Sequence, residues 1–299
     1  MTNANDDHSM PAFSLPAFSS AISALVSNAA PFVVGVVSDK SRASGFVWKS
    51  GLVVTADEAL AEEGDVTIVF GDGSRAKAEV AGRDPSTDIA LLRVDTRDAA
   101  PAPLTGLVPG VGALTLVVSR SGAASEAALG IVSVAGGEWR SLRGGEIAAR
   151  IELGLSLRAT SEGGLVIDAA GQAFGMAVFG PRRRALVIPT ATIERAARLL
   201  ETHGRIPRGY LGLGLQRVKV DGGEFGVMIV SVDPKGPGAA AGLRQGDIVV
   251  AWNDAPLARA RTILSSLGSS SVGVSIKLSL MRAGEPVESR LTIAERPRD

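Results

Sequence analysis

The sequence predicts a mainly β protein of two domains, a larger one with enough short strands for a double barrel and a smaller α/β one. Three observations carry this expectation. Between Phe32 and Val178 the chain passes through brief stretches rich in Val, Ile and Leu, broken by glycine turns such as Gly71-Asp72-Gly73, the pattern of an all-β barrel or sandwich. After Pro189 the pattern switches: Thr190 to His203 has helical spacing (Ile193, Ala196, Ala197, Leu200) and stops at Gly204, a good C-terminal cap. Finally, 299 residues are long for one domain and comfortable for two, each able to bury a core.

Taken in order, residues 1–15 are polar and then interrupted by proline, and are expected to be mobile. From an N-cap at Ser19 or Ser20, the spacing of Ile22, Leu25, Val26 and Ala29 predicts a short amphipathic helix up to Pro31. Its polar face is serine and asparagine without basic residues, so it is expected to pack on its own domain and not on a membrane. The expected strands are Phe32–Val37, Gly45–Trp48, Leu52–Thr55, Val66–Phe70, Ala76–Arg83, Ile89–Val94, Ala113–Ser119, Ala127–Val134, Ile147–Leu153, Gly164–Ile167, Ala173–Val178 and Ala185–Ile188. Beyond Gly204 the organising stretch is Gly226 to Asn253. It reads as a strand (Val227–Val232), a loop with Pro234, Gly236 and Pro237, a small alanine helix closed by Gly242, a turn at Gly246-Asp247, a second strand (Ile248–Trp252) and a hairpin turn at Asn253-Asp254. Ala258–Leu267 is expected to be a helix, with closing strands at Val274–Met281 and Ser289–Ile293.

Composition limits the chemistry. With 31 basic and 31 acidic residues the formal charge is zero, which gives no electrostatic reason to expect nucleic acid or an anionic membrane as partner. The one basic cluster, Arg182 to Arg184, reads as a solvated surface loop. Cysteine is absent, so disulfides and thiol catalysis are excluded, and with only His8 and His203 a typical zinc site is not expected. No stretch of about 18 continuous apolar residues is present to span a bilayer. The N-terminus has no Lys or Arg before Lys40, unlike a secretory signal, so a cytoplasmic location is expected, or a periplasmic one if an export segment lies outside this sequence. Ser74-Arg75-Ala76-Lys77 fits Ser-x-x-Lys, but it follows a Gly-Asp-Gly turn into a strand instead of lying on a helix.

Thr160-Ser161-Glu162-Gly163-Gly164-Leu165 has the form of an active-site turn, since paired glycines before an apolar run can present N–H groups to an oxyanion. It resembles the Gly-Asn-Ser-Gly-Gly-Pro-Leu turn of trypsin-like serine proteases, with Glu162 in the place of the nucleophile. Gly226 to Asn253 closely resembles the PDZ domains that follow HtrA (Deg) proteases, and residues 19–205 resemble the HtrA protease domain along nearly their whole length. Ala43-Ser44-Gly45-Phe46-Val47 is similar to the family's Gly-Ser-Gly-Phe-Val, and Arg83 to Leu92 to the segment that carries the triad aspartate, here Asp88. In the histidine segment, Val54-Thr55-Ala56-Asp57-Glu58-Ala59-Leu60, Glu58 occupies the histidine position.

The resemblance therefore implies a flexible segment (1–18), a trypsin-like double β-barrel with a linker helix (19–205) and a smaller PDZ domain (206–299). An imidazole base and a hydroxyl nucleophile are both replaced, so the degenerate positions Glu58, Asp88 and Glu162, with the oxyanion turn Gly163-Gly164, lead to the expectation of a proteolytically inactive homologue, not an enzyme. Ser161 reads as a turn residue, because side chains diverge in a sharp turn. Peptide binding is expected at Tyr210, Leu211, Gly212 and Leu213, which resemble the PDZ carboxylate loop, with Ile263 and Leu267 as an apolar wall. The expected partners are peptide C-termini or unfolded protein, and also an active protease relative, with the chain acting as adaptor, chaperone or regulator. A homo-oligomer, by resemblance a trimer, is expected, with no cofactor. Two alternatives stand beside this: a hydrolase using a carboxylate or metal site rebuilt from Glu58, Asp88 and Glu162, and an architectural subunit with a closed PDZ groove.

Overall fold

The computed structural model describes residues 14–39, 41–219, 225–257, 263 and 266–297. Helix α1 (Leu15–Ala29) begins earlier than the sequence spacing suggested. Ser14 is its cap, accepting the Ala17 N–H at 3.4 Å, and Pro16 falls in the first turn, where a missing N–H leaves no bond unmade. The expected mobility of residues 1–15 falls mostly outside the described residues. Phe18, Ile22, Leu25 and Val26 are half-buried and Ala29 is buried.

The strands that follow are β1 (Val33–Val37), β2 (Arg42–Lys49), β3 (Leu52–Thr55), β4 (Val66–Val69), β5 (Arg75–Asp84) and β6 (Ile89–Arg93), which close a barrel in the order β1-β2-β3-β6-β5-β4. Next come β7 (Leu114–Ser121), β8 (Ala124–Gly136), the small pair β9 (Trp139–Arg140) and β10 (Glu146–Ile147), and then β11 (Arg150–Leu153), β12 (Leu165–Asp168), β13 (Ala173–Phe179) and β14 (Ala185–Pro189). A second barrel closes as β11-β14-β13-β12-β7-β8. Strands such as β14, Ala-Leu-Val-Ile-Pro, are buried at every residue, which explains why they read as continuous apolar runs. Val117, Val132, Ile151, Val166, Phe174 and Val187 form the centre of this barrel's core.

Arg120 on β7 is 4% exposed, and its charge rests on carbonyls: Nε donates to Val33 O at 2.8 Å, Nη1 to Ala123 O at 2.7 Å and Nη2 to Ala30 O at 2.8 Å. The guanidinium thereby fastens the C-terminal end of α1 to the barrel, and burial pulls its pKa below the ordinary arginine value. The helix packs on its own domain, as its uncharged polar face suggested.

Helix α2 (Thr190–His203) ends at Gly204 (φ +70), whose N–H donates to Leu200 O at 2.9 Å. Then follow β15 (Gly209–Tyr210), β16 (Leu213–Lys219), β17 (Phe225–Val232), helix α3 (Pro237–Ala240), β18 (Ile248–Trp252), β19 (Ala255–Pro256), β20 (Ser275–Arg282), β21 (Glu285–Thr292) and β22 (Ala294–Glu295). The main sheet runs β16-β17-β18-β20-β21, so β16 is an edge strand. Asn253 and Asp254, both at positive φ, turn the chain between β18 and β19, the residue types such a turn favours. Val227, Ile229, Val249, Leu278, Leu280 and Ile293 lie in the core. Asp247, 1% exposed, accepts from Arg282 Nε at 2.8 Å and Nη2 at 2.7 Å. Most of the expected helix Ala258–Leu267 lies outside the described residues.

The chain divides into two compact units, residues 1–80, 92–137 and 149–193 in one and residues 81–91, 138–148 and 194–299 in the other.

Candidate functional site

In the first unit the turn that carries Glu162 follows a short 3-10 helix, Ala159–Ser161, and its backbone is fully engaged. The Glu162 N–H donates to Ala159 O at 3.2 Å, the Gly163 N–H to Ala177 O at 2.8 Å and the Gly164 N–H to Ser161 O at 3.0 Å. The glycine N–H groups expected to face an oxyanion are thus spent inside the chain. Gly163 is required for two reasons: its φ is +81, and a Cβ there would lie 2.1 Å from Ser44 O and 2.8 Å from Thr55 Oγ1.

Ser44 holds the turn from the neighbouring barrel strand. Its N–H donates to Glu162 O at 2.8 Å and its Oγ donates to Thr160 O at 2.6 Å, while the same Oγ accepts the Arg120 N–H at 2.8 Å. Thr55 Oγ1 donates to Ser44 O at 2.6 Å, which ties in the segment leading to Glu58. None of Ser44, Thr55 and Arg120 figured among the residues expected to build the site, although Ser44 and Thr55 lie inside the segments that resemble the protease family. Ser161 is 4% exposed with its Oγ 3.0 Å from Ser119 Oγ, so it is a buried structural hydroxyl of the turn.

Glu58 is exposed, next to buried Asp57, and Glu162 is half-buried. Asp88, in the second unit, is half-buried with φ +58. Among the described residues, no three or more His, Cys, Asp or Glu side chains form a group that could hold a metal ion. The metal centre considered for Glu58, Asp88 and Glu162 therefore has no such group in its support among the described residues. Ser74 and Lys77 are ordinary hairpin residues, Ser74 Oγ donating to Asp72 at 2.6 Å and Lys77 pairing with Asp65 at 2.6 Å.

In the second unit, Tyr210 to Leu213 enters the edge strand β16 through Gly212, whose φ is +68. The carbonyls of this loop are committed: Gly238 N–H donates to Leu211 O and Asp233 N–H to Gly212 O, both at 2.8 Å. The N–H groups of Leu211 and Gly212 have no partner among the described residues. Tyr210 OH donates to Asp233 Oδ2 at 2.7 Å, which raises the phenol's pKa. Asp233 is held below the usual carboxylate range by the Lys235 N–H and then by this phenol. Leu213 and Leu267 are partly buried against the core, whereas Ile263, at 2% exposure, is a core residue and not an open groove wall.

Two barrels bearing such a turn, followed by a sheet with a loop of this kind, define a class. Residues 43–176 match a trypsin-like peptidase domain and residues 209–293 match a PDZ domain. The architecture is therefore a trypsin-like double β-barrel followed by a C-terminal PDZ domain. A probable periplasmic serine endoprotease DegP-like of Pseudomonas fluorescens is 26% identical over 277 residues, covering 87% of this chain and 57% of the relative. One of the same description from Brucella suis is 27% identical over 283 residues, covering 87% and 53%. The chain thus spans about half the length of the curated relatives it matches. Among solved structures, the serine endoprotease from Yersinia pestis superposes with a TM-score of 0.71 at 23% identity, covering 91% of this chain and 97% of that one. The HtrA-type protease AlgW with decapeptide gives 0.70 at 22%, covering 92% and 98%.

These relatives correct two expectations. Classing the chain as not an enzyme rested on two positions, Glu58 and Glu162, whereas the relatives are named serine endoproteases and the peptidase match runs from residue 43 to residue 176. The cytoplasmic expectation rested on the first residues of the chain, whereas the relatives are named periplasmic. Among the described residues, no helix is long and apolar enough to cross a membrane.

Proposed function

We propose that this HtrA-type protein captures polypeptide C-termini through its PDZ domain, as adaptor, chaperone or regulator. The terminal carboxylate would lie against the Leu211 and Gly212 N–H groups, and the residues before it would pair with β16. The observation that carries this reading is the pair of N–H groups without a partner among the described residues, at the mouth of an edge strand. Two N–H donors on one carboxylate make charge-assisted hydrogen bonds, and added-strand pairing supplies the rest of the affinity. Leu213 and Leu267 would favour an apolar C-terminal residue, with Ile263 supporting them from the core. The homo-oligomer implied by the resemblance, a trimer, belongs to the same proposal and is read by light scattering.

The experiment is fluorescence polarisation of the full chain with labelled peptides ending in Val or Leu, as free acid and as amide. Micromolar binding of the acid and a loss on amidation of about tenfold, equivalent to about 1.4 kcal/mol, are expected. Equal affinity for the two would sink the carboxylate mode. Peptidase activity, which the relatives' names carry, is measured on the same preparation by casein digestion, with Glu58→Gln and Glu162→Gln as the arms that reveal any part played by either carboxylate.

A further inference from the structure

Strand β13 passes the Glu162 turn and ends at a hairpin turn whose chemistry the peptide-capture reading does not use. Gly180 N–H donates to Arg184 O at 2.8 Å and Arg184 N–H to Pro181 O at 3.4 Å, which leaves Arg182 and Arg183 as the two central residues. Their φ values are +59 and +56. This is the backbone of a turn that ordinarily takes Asn-Gly, and two consecutive left-handed arginines are uncommon there. Backbone strain of this kind points to a role for the side chains it positions.

Those side chains are exposed cations. The Arg183 guanidinium lies 4.1 Å from the centre of the Phe179 ring, which limits its freedom. Arg184 pairs with Glu152 at 3.1 Å, but that carboxylate is already shared with Arg150 at 2.5 Å. Neither Arg182 nor Arg183 has an acidic partner among the described residues. Glu152 is thus engaged by Arg150 and Arg184 and not by the two central arginines of the turn.

The backbone beside them is open on one side. Ala177 exchanges hydrogen bonds with Gly163 and Gly164, so strand alternation puts the Phe179 N–H and C=O on that same side, away from β14. Strand β12 pairs with β13 only as far as Met176, and among the described residues no strand lies alongside Phe179 there.

We propose that the Arg182–Arg183 turn selects acidic polypeptide: an extended chain lies along Val178 and Phe179 and places Asp or Glu side chains on the two free guanidiniums. This needs no free C-terminus and is independent of the PDZ reading.

The test uses the full chain and extended peptides acetylated and amidated at their ends, so that C-terminal capture is silent, with Glu, Gln or Lys at alternate positions. Anisotropy should show the Glu peptide binding at least about tenfold more tightly than the Gln peptide, an advantage that shrinks as salt is raised. In Arg182→Asn/Arg183→Gly, which suits the turn, the melting temperature should rise while the preference for the Glu peptide disappears. Arg182→Gln/Arg183→Gln, which keeps side-chain length, should also lose the preference. Equal binding of the Glu and Gln peptides by the parent chain, or a preference that survives both variants, would overturn the proposal.

Discussion

The Glu162 turn and the Tyr210–Leu213 loop look alike as sequence: each places a glycine at positive φ beside a strand. They differ in what is left over. Around Glu162 three successive N–H groups are donated within the chain, whereas at Leu211 and Gly212 the carbonyls are committed and the N–H groups are not, among the described residues. A glycine pattern marks a tight turn, but only the unspent dipoles make an anion site.

The comparison breaks most sharply at the glycines themselves. Gly163→Ala forces a left-handed alanine whose Cβ meets the Ser44 carbonyl at 2.1 Å, a backbone atom that cannot swing away. It should cost about 3 kcal/mol or more in denaturant unfolding of the first unit. The matched change Gly212→Ala, with Gly236 Cα 2.9 Å from the new Cβ, should cost less, about 2 kcal/mol, and abolish binding of free-acid peptides. A Gly163→Ala protein as stable as its parent would mean that the turn is not held as described.

Acid should distinguish the regions next. Chiefly through its hydrogen bonds from Arg282, Asp247 has a pKa below the ordinary carboxylate value. That stabilisation is complete above the unfolded pKa of about 3.9 and is lost as pH falls through the lower folded value. Asp247→Asn should cost about 2 kcal/mol at neutral pH by removing the charge that Arg282 pairs with, although Arg282 keeps its bond to Gly242 O, and should flatten the acid dependence of amide exchange in β17 and β18. An unchanged acid profile would remove Asp247 as its source.

The smallest effect expected is at the clamp. Ser44→Ala deletes the 2.6 Å bond to Thr160 O and leaves the Arg120 N–H without its acceptor, a loss of about 1.5 kcal/mol confined to the first unit. Peptide capture at Tyr210–Leu213 should be untouched. A drop in that affinity would show that the two regions are not energetically separate.

Most of the strand pattern was legible because buried strands must be apolar and turns must contain residues that tolerate them. The start of α1 was misplaced because Ser19 and Ser20 are equally good capping residue types, whereas the helix is capped by Ser14 and carries Pro16 in its first turn, where it is harmless. The clamp was hidden by distance: Ser44 and Thr160 are 116 residues apart, and nothing local announces their bond. Ile263 and Leu267 share a helical spacing, yet periodicity alone does not separate a core face from a groove face.

Arg120 gives the first unit a joint of unusual constancy. Its charge is balanced by the partial charges of three peptide carbonyls, which neither gain nor lose protons in water, and its burial keeps dissolved ions from competing for it. The seat of α1 should therefore hold with the same strength in dilute and concentrated salt and from mild acid to mild alkali, conditions that would loosen a pairing of acid with base.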